Sequence, residues 1–475
     1  MSTQEFSSEF IQALEPTALH DREHFRLRDT DLYLPFPVDA AIIVPGAVDA
    51  ERLKAALVRA LSIFPLYGGR IEKRDGHWIV RLVNTNGALF DVVDSNEEKP
   101  PVAPNSPVIL SPFNLSKRND HWSLYSGSSD EPLLRLTLIR GAQGRWSAVV
   151  FWMSHVIGDG EGVRAFMRTV SRYYEGLEPL DEDVPCYDYP AMDVLPAEEL
   201  QKVVQPWLTH TAPLPSQGPT TATVGSLTAT PPSLRVVLRL TAEQLAQLRS
   251  GVLAQGPDEA LASDERISTQ DCIVAAVASA ISKTYEAQGL PGVTRIDTIV
   301  NYRGVGPVPR TAANNALIQA VADTNFDSIL TTALAVRRSL LRCRSYTFAT
   351  GCIALHAFKL AAAANSVPPR SLDFSPGPQS MTVNSTRPFD WTGAHFGFAG
   401  KASFYHTMSN KPRFVKIFTP NPTLLADGQW RENRGGAEVV FHLEAELRET
   451  FPGIFRGVVA QLGVKEEIEF ANPRA

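Results

Sequence analysis

The chain has 475 residues, of which 44% are hydrophobic, 20% charged and 9% aromatic. That length exceeds one ordinary core and suits two domains of roughly 200 residues each. A formal net charge of −6, without any Lys/Arg-rich block, excludes the electrostatic footprint of a protein that binds nucleic acid or an anionic membrane. The first residues, MSTQEFSSEF, lack the basic-then-apolar pattern of a signal peptide, and no apolar run is read as approaching the 18 residues or so of a membrane span. Cys186, Cys272, Cys343 and Cys352 form neither a CxxC nor a metal-ligand spacing, and read as buried reduced thiols. A cytoplasmic enzyme with no metal, nucleic-acid or membrane partner is the expectation.

Residues 37–44 predict a strand, and residues 50–64 an amphipathic helix with Leu53, Leu57, Leu61 and Phe64 on one stripe. Pro65, Gly68 and Gly69 break the chain before a second strand at 76–83. Strands at 132–139 and 146–154 are joined by the turn GAQG, and a helix begins near Gly162 and runs to about Tyr174. Residues 176–232 are rich in Pro, Ser and Thr, and read as an exposed crossover. Order returns with a strand at 234–240 and a helix capped by Thr241. A second capped helix starts at Ser268–Thr269, and residues 328–344 and 350–363 read as helical, flanked by strands at 317–322 and 437–444. Helices and strands alternate in both halves, so the fold class is α/β. The expected division is a domain at 1–185, a linker at 186–232 and a second domain at 233–475.

Chemistry concentrates in Ser154-His155-Val156-Ile157-Gly158-Asp159-Gly160, where an apolar strand ends and a helix is about to begin. That junction is a common place for catalytic groups in α/β folds. A histidine held there, with an unperturbed pKa near ~6.5, suits proton abstraction at neutral pH. The glycines on both sides of Asp159 read as permitting a sharp turn that a Cβ would obstruct. Asp159 also has a plain structural role available, as the cap of the following helix. Ser154 and His155 are not a nucleophile–base pair, because adjacent strand residues point to opposite faces. Gly158, Gly160 and Gly162 do not make a dinucleotide fingerprint, since Val163 occupies the third glycine's offset. Gly400-Lys401-Ala402-Ser403 lacks the Lys-Ser/Thr step of a phosphate loop, and there is no HExxH or GxSxG.

HisXxxXxxXxxAspGly after an apolar strand resembles the signature of the BAHD acyltransferases and their chloramphenicol-acetyltransferase-like superfamily. Other segments agree in order. Residues 26–31 (RLRDTD) resemble the family's "LS-x-x-D" region, and residues 53–71 its helix followed by "P-L-x-G-R". Residues 268–281 resemble its second-domain helix, and Asn301-Tyr302-Arg303-Gly304 with Asn314-Asn315-Ala316 the "N-x-R…G-N-A" pair. Asn384-Ser385-Thr386 and His395-Phe396-Gly397-Phe398-Ala399 stand where the family has "T-S-W" and "D-F-G-W-G". The resemblance therefore covers nearly the whole chain, with departures in the last two motifs.

The resemblance implies two domains of the chloramphenicol-acetyltransferase type, each a mixed sheet flanked by helices, with a channel between them. It implies transfer of an acyl group from acyl-CoA, as co-substrate and not as a bound cofactor, to a small-molecule alcohol or amine. His155 would be the general base and Asn384 the oxyanion donor. Asp159, Gly160 and Arg303 would support the site, with Asp159 turned away from substrate to pair with Arg303. Ser385, Phe396, Gly397 and Phe398 would belong to the substrate and CoA region, and His395 to the scaffold. The diverged last motif resembles fungal secondary-metabolism members, and the channel formed within one chain implies a monomer. Two alternatives stay open: a condensation-domain-like enzyme or cyclase using a carrier-bound substrate, for which the usual preceding histidine is replaced by Ser154, and a non-catalytic binding protein on the same scaffold.

Overall fold

The computed structural model describes residues 6–14, 16–33, 37–100, 130–190, 192, 233–256, 266–326, 328–366, 376–406, 411–465 and 467–471. The first half contains β1 (Phe6–Ile11), β2 (His24–Arg26), β3 (Pro37–Val44), α1 (Ala50–Ile63), β4 (Arg70–Arg74), β5 (His77–Arg81), β6 (Ala88–Asp94), β7 (Leu134–Arg140), β8 (Ser147–Ser154) and α2 (Gly160–Tyr174). The second half runs β9 (Ser233–Leu240), α3 (Ala242–Leu253), α4 (Thr269–Glu286), β10 (Arg295–Asn301), β11 (Leu317–Asp323), α5 (Ile329–Cys343), α6 (Tyr346–Ala364) and β12 (Ser380–Ser385). It closes with β13 (Ser403–His406), β14 (Phe414–Phe418), β15 (Thr423–Leu424), β16 (Trp430–Arg431), β17 (Ala437–Glu444), α7 (Ala445–Arg448), α8 (Phe451–Ala460) and β18 (Glu469–Ala471).

Two mixed sheets dominate, so the class is α/β with helices flanking each sheet. One has the order β1-β6-β7-β8-β3-β13 and the other β11-β10-β12-β14-β17-β9-β18. Within them, β6 and β7 run parallel, as do β10, β12 and β14, and the remaining pairs are antiparallel. The helix boundaries follow capping chemistry. Asp49, Thr241 and Ser268 each accept a backbone N–H at the start of α1, α3 and α4. The second helix starts at Gly160, two residues before the expected Gly162, because Asp159 caps it from inside the His155 loop.

Two segments cross the expected domain division. Strand β13 leaves the second half and pairs antiparallel with β3 at the edge of the first sheet. Phe404 on β13 stacks on Trp391 with ring centroids 4.2 Å apart, inside the first half's core. The start of the expected linker is anchored, although Asp188 and Pro190 are exposed: Tyr187 is buried in that core, and the Cys186 backbone bonds to Thr311 and Ala313. Residues 193–232, where the Pro/Ser/Thr-rich stretch falls, lie outside the described residues.

The thiol reading needs one adjustment. All four cysteines are free, but Cys186 is only half-buried, whereas burial pushes the thiols of Cys272, Cys343 and Cys352 up to about 12. The membrane reading needs another. Helix α6, 19 residues long, is apolar and long enough by composition to cross a bilayer. In this fold it is mostly buried, and Leu360 and Ala364 join the first half's core.

Because Phe404 is 3% exposed and belongs to the strand that ties the halves, Phe404→Ala is expected to destabilise the whole protein by about 3–5 kcal/mol. Denaturant unfolding should then show one shifted transition; two separated transitions would mean that β13 does not couple the halves.

Candidate active site

Strand β8 is buried along its whole length and delivers His155 at its end, at the first residue of a single helical turn before α2. Asp159 follows four residues on and is fully buried. Its Oδ1 accepts the backbone N–H groups of Glu161 and Gly162 at 3.1 and 3.2 Å, capping α2. Its Oδ2 accepts Arg303 Nη1 at 2.7 Å and the Ala316 N–H at 2.9 Å. Burial by itself would raise the Asp159 carboxyl, but the Arg303 charge and these four donors outweigh it and hold the group below its ordinary range. The same guanidinium donates to the carbonyls of Ala312 and Asn314 at 2.8 and 2.6 Å. One ion pair thus clamps the first half's His155 loop to residues 312–316 of the second half.

Asn314 adopts φ 62°, a left-handed conformation that asparagine tolerates. That turn presents Asn315 to His155. The Asn315 Nδ2 donates to the His155 carbonyl at 2.7 Å, which leaves its Oδ1 facing His155 Nδ1 at 2.9 Å. An amide oxygen only accepts, so Nδ1 carries the proton and Nε2 keeps the lone pair. Asn315 is itself fixed, since its N–H donates to Asp31 Oδ1 at 3.0 Å while Asn314 Nδ2 reaches Asp31 Oδ2. Burial raises the Asp31 carboxyl to about 6, against the pull of Arg28.

Tyr33 stacks on the imidazole of His155, with ring centroids 4.7 Å apart and planes inclined by 26°. Its hydroxyl shares a 2.6 Å hydrogen bond with His356 Nε2 on α6. Burial and the Lys359 charge push His356 down to about 4, so its imidazole is neutral. Packing from above and a hydrogen bond at the edge therefore leave the His155 ring little freedom. Burial lowers the His155 pKa below its ordinary 6.5; the Asp159 charge opposes this, and the Lys416 charge adds to it.

That last coupling locates the second half's contribution. On β12 and β14, Val383, Val415 and Ile417 point into the second half's core, so Asn384 and Lys416 face the other way. These two residues are register partners on parallel strands. Phe418, on the same face as Lys416, packs in the first half's core. The face bearing Asn384 and Lys416 therefore looks across at the half that carries His155. Just beyond, the Thr386 methyl would lie 4.0 Å from a Cβ added at Gly160. The structure thus gathers His155, Asp159, Gly160, Arg303 and Asn384 into one region.

The other candidate residues stand apart from it. By strand alternation Ser385 points away from Asn384, with its Oγ buried. Phe396, Gly397 and Phe398 pack at the opposite end of α2. Ser171 Oγ accepts the His395 and Phe396 N–H groups, and the Phe396 ring meets Tyr174 edge-on. Ser171 lies about 16 Å along the helix from Gly160, at 1.5 Å per residue. Phe398 covers Gly46, where a Cβ would meet its ring at 2.6 Å. His395 Nδ1 lies 3.2 Å from a Glu175 carboxylate oxygen.

The expected role of the two glycines needs correction. Neither lies in the left-handed region; Gly158 is extended, at φ 175°. Gly158 instead makes room for Tyr67, whose hydroxyl would lie 2.8 Å from an added Cβ, whereas a Cβ at Gly160 would meet Phe389 at an ordinary 3.5 Å. Tyr33, His356 and Lys416 contribute to the site's geometry and charge without having been singled out in the sequence, and Asp31 and Asn315 lay in segments that carried the resemblance but were given no role there. Lys416 had a signal: a lone lysine in the apolar strand FVKIF.

No family model matches the chain. Solved structures share its fold at low identity. Vinorine synthase is 16% identical with a TM-score of 0.62, over 96% of this chain and 98% of that one. The TRI101 protein of F. sporotrichioides, solved with coenzyme A and T-2, is 15% identical with a TM-score of 0.56, over 90% and 97%. A mutant starter condensation domain of rhizomide synthetase RzmA, solved with C8-CoA and Leu-SNAC, is 13% identical with a TM-score of 0.51, over 93% and 94%. The fold is that of these proteins.

Two outcomes test the site. Removing one partner of a buried ion pair strands the other, so Asp159→Ala and Arg303→Ala are each expected to cost about 3–5 kcal/mol. The double variant should cost much less than the sum, and simple additivity in chemical denaturation would mean the pair does not act as a unit. Asn315→Asp places a carboxylate on His155 Nδ1 and should raise the pH at which the imidazole titrates, because a neighbouring negative charge favours the imidazolium. NMR titration of His155 should show a midpoint below 6.5 in the wild type and a higher one in this variant.

Proposed function

We propose that the chain is an acyltransferase that moves an acyl group from acyl-CoA to a hydroxyl or amine of a small molecule. His155 acts as general base, and no covalent enzyme intermediate forms. The observation that carries this reading is the locked tautomer: Asn315 holds the proton on Nδ1, so Nε2 is the basic atom. The fold shared with a TRI101 structure that holds coenzyme A supports the choice of donor.

The acceptor O–H or N–H donates to His155 Nε2 and loses its proton there as the oxygen or nitrogen attacks the thioester carbonyl. The C–O or C–N bond forms and the carbonyl electrons move onto oxygen. The side-chain NH₂ of Asn384 donates to that oxyanion, a contribution worth about 2.7–4 kcal/mol when preorganised. As the tetrahedral centre collapses, the C–S bond breaks and the CoA thiolate takes the proton back from the imidazolium. Asp159 and Arg303 do not touch substrate; they position the loop that carries His155. The reaction is completed within one chain, so a monomer suffices.

A second reading keeps the chemistry and changes the carrier, with the acyl group presented on a carrier protein. The fold shared with the RzmA condensation domain favours it; Ser154, where such enzymes usually place a second histidine, weighs against it.

Thiol release from a panel of acetyl-, malonyl-, medium-chain and aromatic acyl-CoAs, with mixed alcohol and amine acceptors, decides between them. Acceptor-dependent release is expected in the wild type, reduced about 10²–10⁴-fold in His155→Ala and about 10²–10³-fold in kcat in Asn384→Ala. For uncharged substrates, kcat/KM should fall on acidification with a midpoint below 6.5, because activity requires the neutral imidazole. Silence from every free CoA donor, with transfer from a carrier-bound one, would favour the second reading.

A further inference from the structure

We infer that the ring of Tyr33 stabilises the imidazolium that His155 becomes when it takes the acceptor's proton, by presenting a π face to it. The inference rests on the acyl-transfer reading and goes beyond it by giving Tyr33 a part in the proton transfer. Acting through His155 and not on substrate, Tyr33 is a positioning residue.

The geometry is that of a face contact. The ring centroids of Tyr33 and His155 lie 4.7 Å apart with planes inclined by 26°, inside the ~6 Å over which a cation is drawn to the negative face of an aromatic ring. Tyr33 is 6% exposed, so water does little to screen the contact. The ring is held from several sides. The Tyr33 N–H donates to the Asp31 carbonyl at 2.7 Å, and its hydroxyl shares the 2.6 Å hydrogen bond with His356 on α6. The carboxylate of Asp31 meanwhile accepts the Asn315 N–H. One short segment, residues 31–33, therefore governs both the edge of the His155 ring, through Asn315, and its face.

The groups around His155 leave such a contribution to be made. Burial penalises the imidazolium, and the Lys416 charge on β14 adds to the penalty. Asp159 favours the imidazolium, but its carboxylate is already matched by Arg303 and three backbone N–H groups. Asn315 offers Nδ1 a neutral amide oxygen, and Asp31 acts at one remove, through Asn315. His356, held neutral by burial and the Lys359 charge, brings no charge of its own. An aliphatic side chain at 33 would pack as closely and offer the imidazolium nothing. An aromatic face gains its attraction only as the proton arrives, which is the property of a group that favours the transition state over the ground state.

Fluorination withdraws negative charge from a ring face in steps, with almost no change of shape. Phenylalanine and its mono-, di- and trifluorinated forms are placed in turn at position 33, and His155 is followed by NMR titration beside acceptor-dependent thiol release. The His155 midpoint should fall steadily along the series, by about one pH unit in total, and kcat by up to about 10-fold with KM unchanged, the range of a desolvated cation–π contact. A ring with only a packing role would move neither, because every member fills the same space. A midpoint that stays level or rises along the series overturns the inference. Mono- and difluorotyrosine at position 33 keep the bond to His356, and burial holds the Tyr33 phenol well above its ordinary range, so they give the same reading should Tyr33→Phe fail to fold. A falling midpoint in a protein that releases no thiol from any donor would remove the acyl-transfer reading and leave the stabilised imidazolium standing. Thiol release with a level midpoint would do the reverse.

Discussion

Asp159 is the constraint on which the rest of the site depends. Its carboxylate is fully buried, and an isolated charge at such a position would not survive: the group would neutralise or the loop would open. It persists because four donors converge on its two oxygens, two from the start of α2 and two from the second half. The first pair fixes where α2 begins, and with it the turn that carries His155. The second pair fixes residues 303 and 316, and so the intervening turn that brings Asn315 to the imidazole. A buried ion pair of this kind adds little net stability over an apolar substitute. What it supplies is registry, because it joins the His155 loop to Arg303 and Ala316 of the second half.

Much of this loop was legible in the sequence, because its logic is local. Asp159 lies just before an amphipathic run, and an aspartate there caps a helix whatever else it does. Strands 37–44 and 437–444 and the capped starts at Thr241 and Ser268 were legible for the same reason: periodicity and caps are written in consecutive residues. The Arg303 partnership came from resemblance, not from spacing. What escaped depends on chain crossing. Tyr33, Asn315 and His356 come from three distant segments, and nothing in any one of them says that a ring will stack or an amide will turn. Strand β13 is four residues long and finds its partner in β3, at the other end of the chain. The glycines at 158 and 160 were read as permitting a sharp turn that a Cβ would obstruct. At Gly158 the obstruction is the Tyr67 hydroxyl, which no local pattern announces.

The charges around His155 explain why the imidazole needs so much support. Burial and Lys416 both favour the neutral ring, while Asp159 favours the imidazolium. The balance keeps Nε2 unprotonated at neutral pH, but a neutral imidazole has two tautomers, and only one leaves Nε2 basic. Asn315 makes that selection because the His155 carbonyl takes its amide NH₂ and so turns the oxygen to the ring, while Asp31 holds the Asn315 backbone in place. Basicity is therefore set by the environment, and direction by one hydrogen bond.

The diverged segment at 395–399 fits this picture of local demand. Phe396 and Gly397 both have positive φ, at 49° and 87°, so the turn needs its glycine where one is present. Ala399 is not in that region and accommodates its Cβ. At 395, where the resembling motif has an aspartate, a histidine stands beside Glu175, the residue that ends α2, while its N–H and that of Phe396 converge on Ser171. The backbone contacts that hold this segment to α2 do not use the substituted side chain at all. The changes therefore leave the anchor of α2's far end in place, and α2 is the helix whose near end Asp159 caps. A departure from the resembling motif at this distance alters the side chains near 395 without reaching the imidazole of His155.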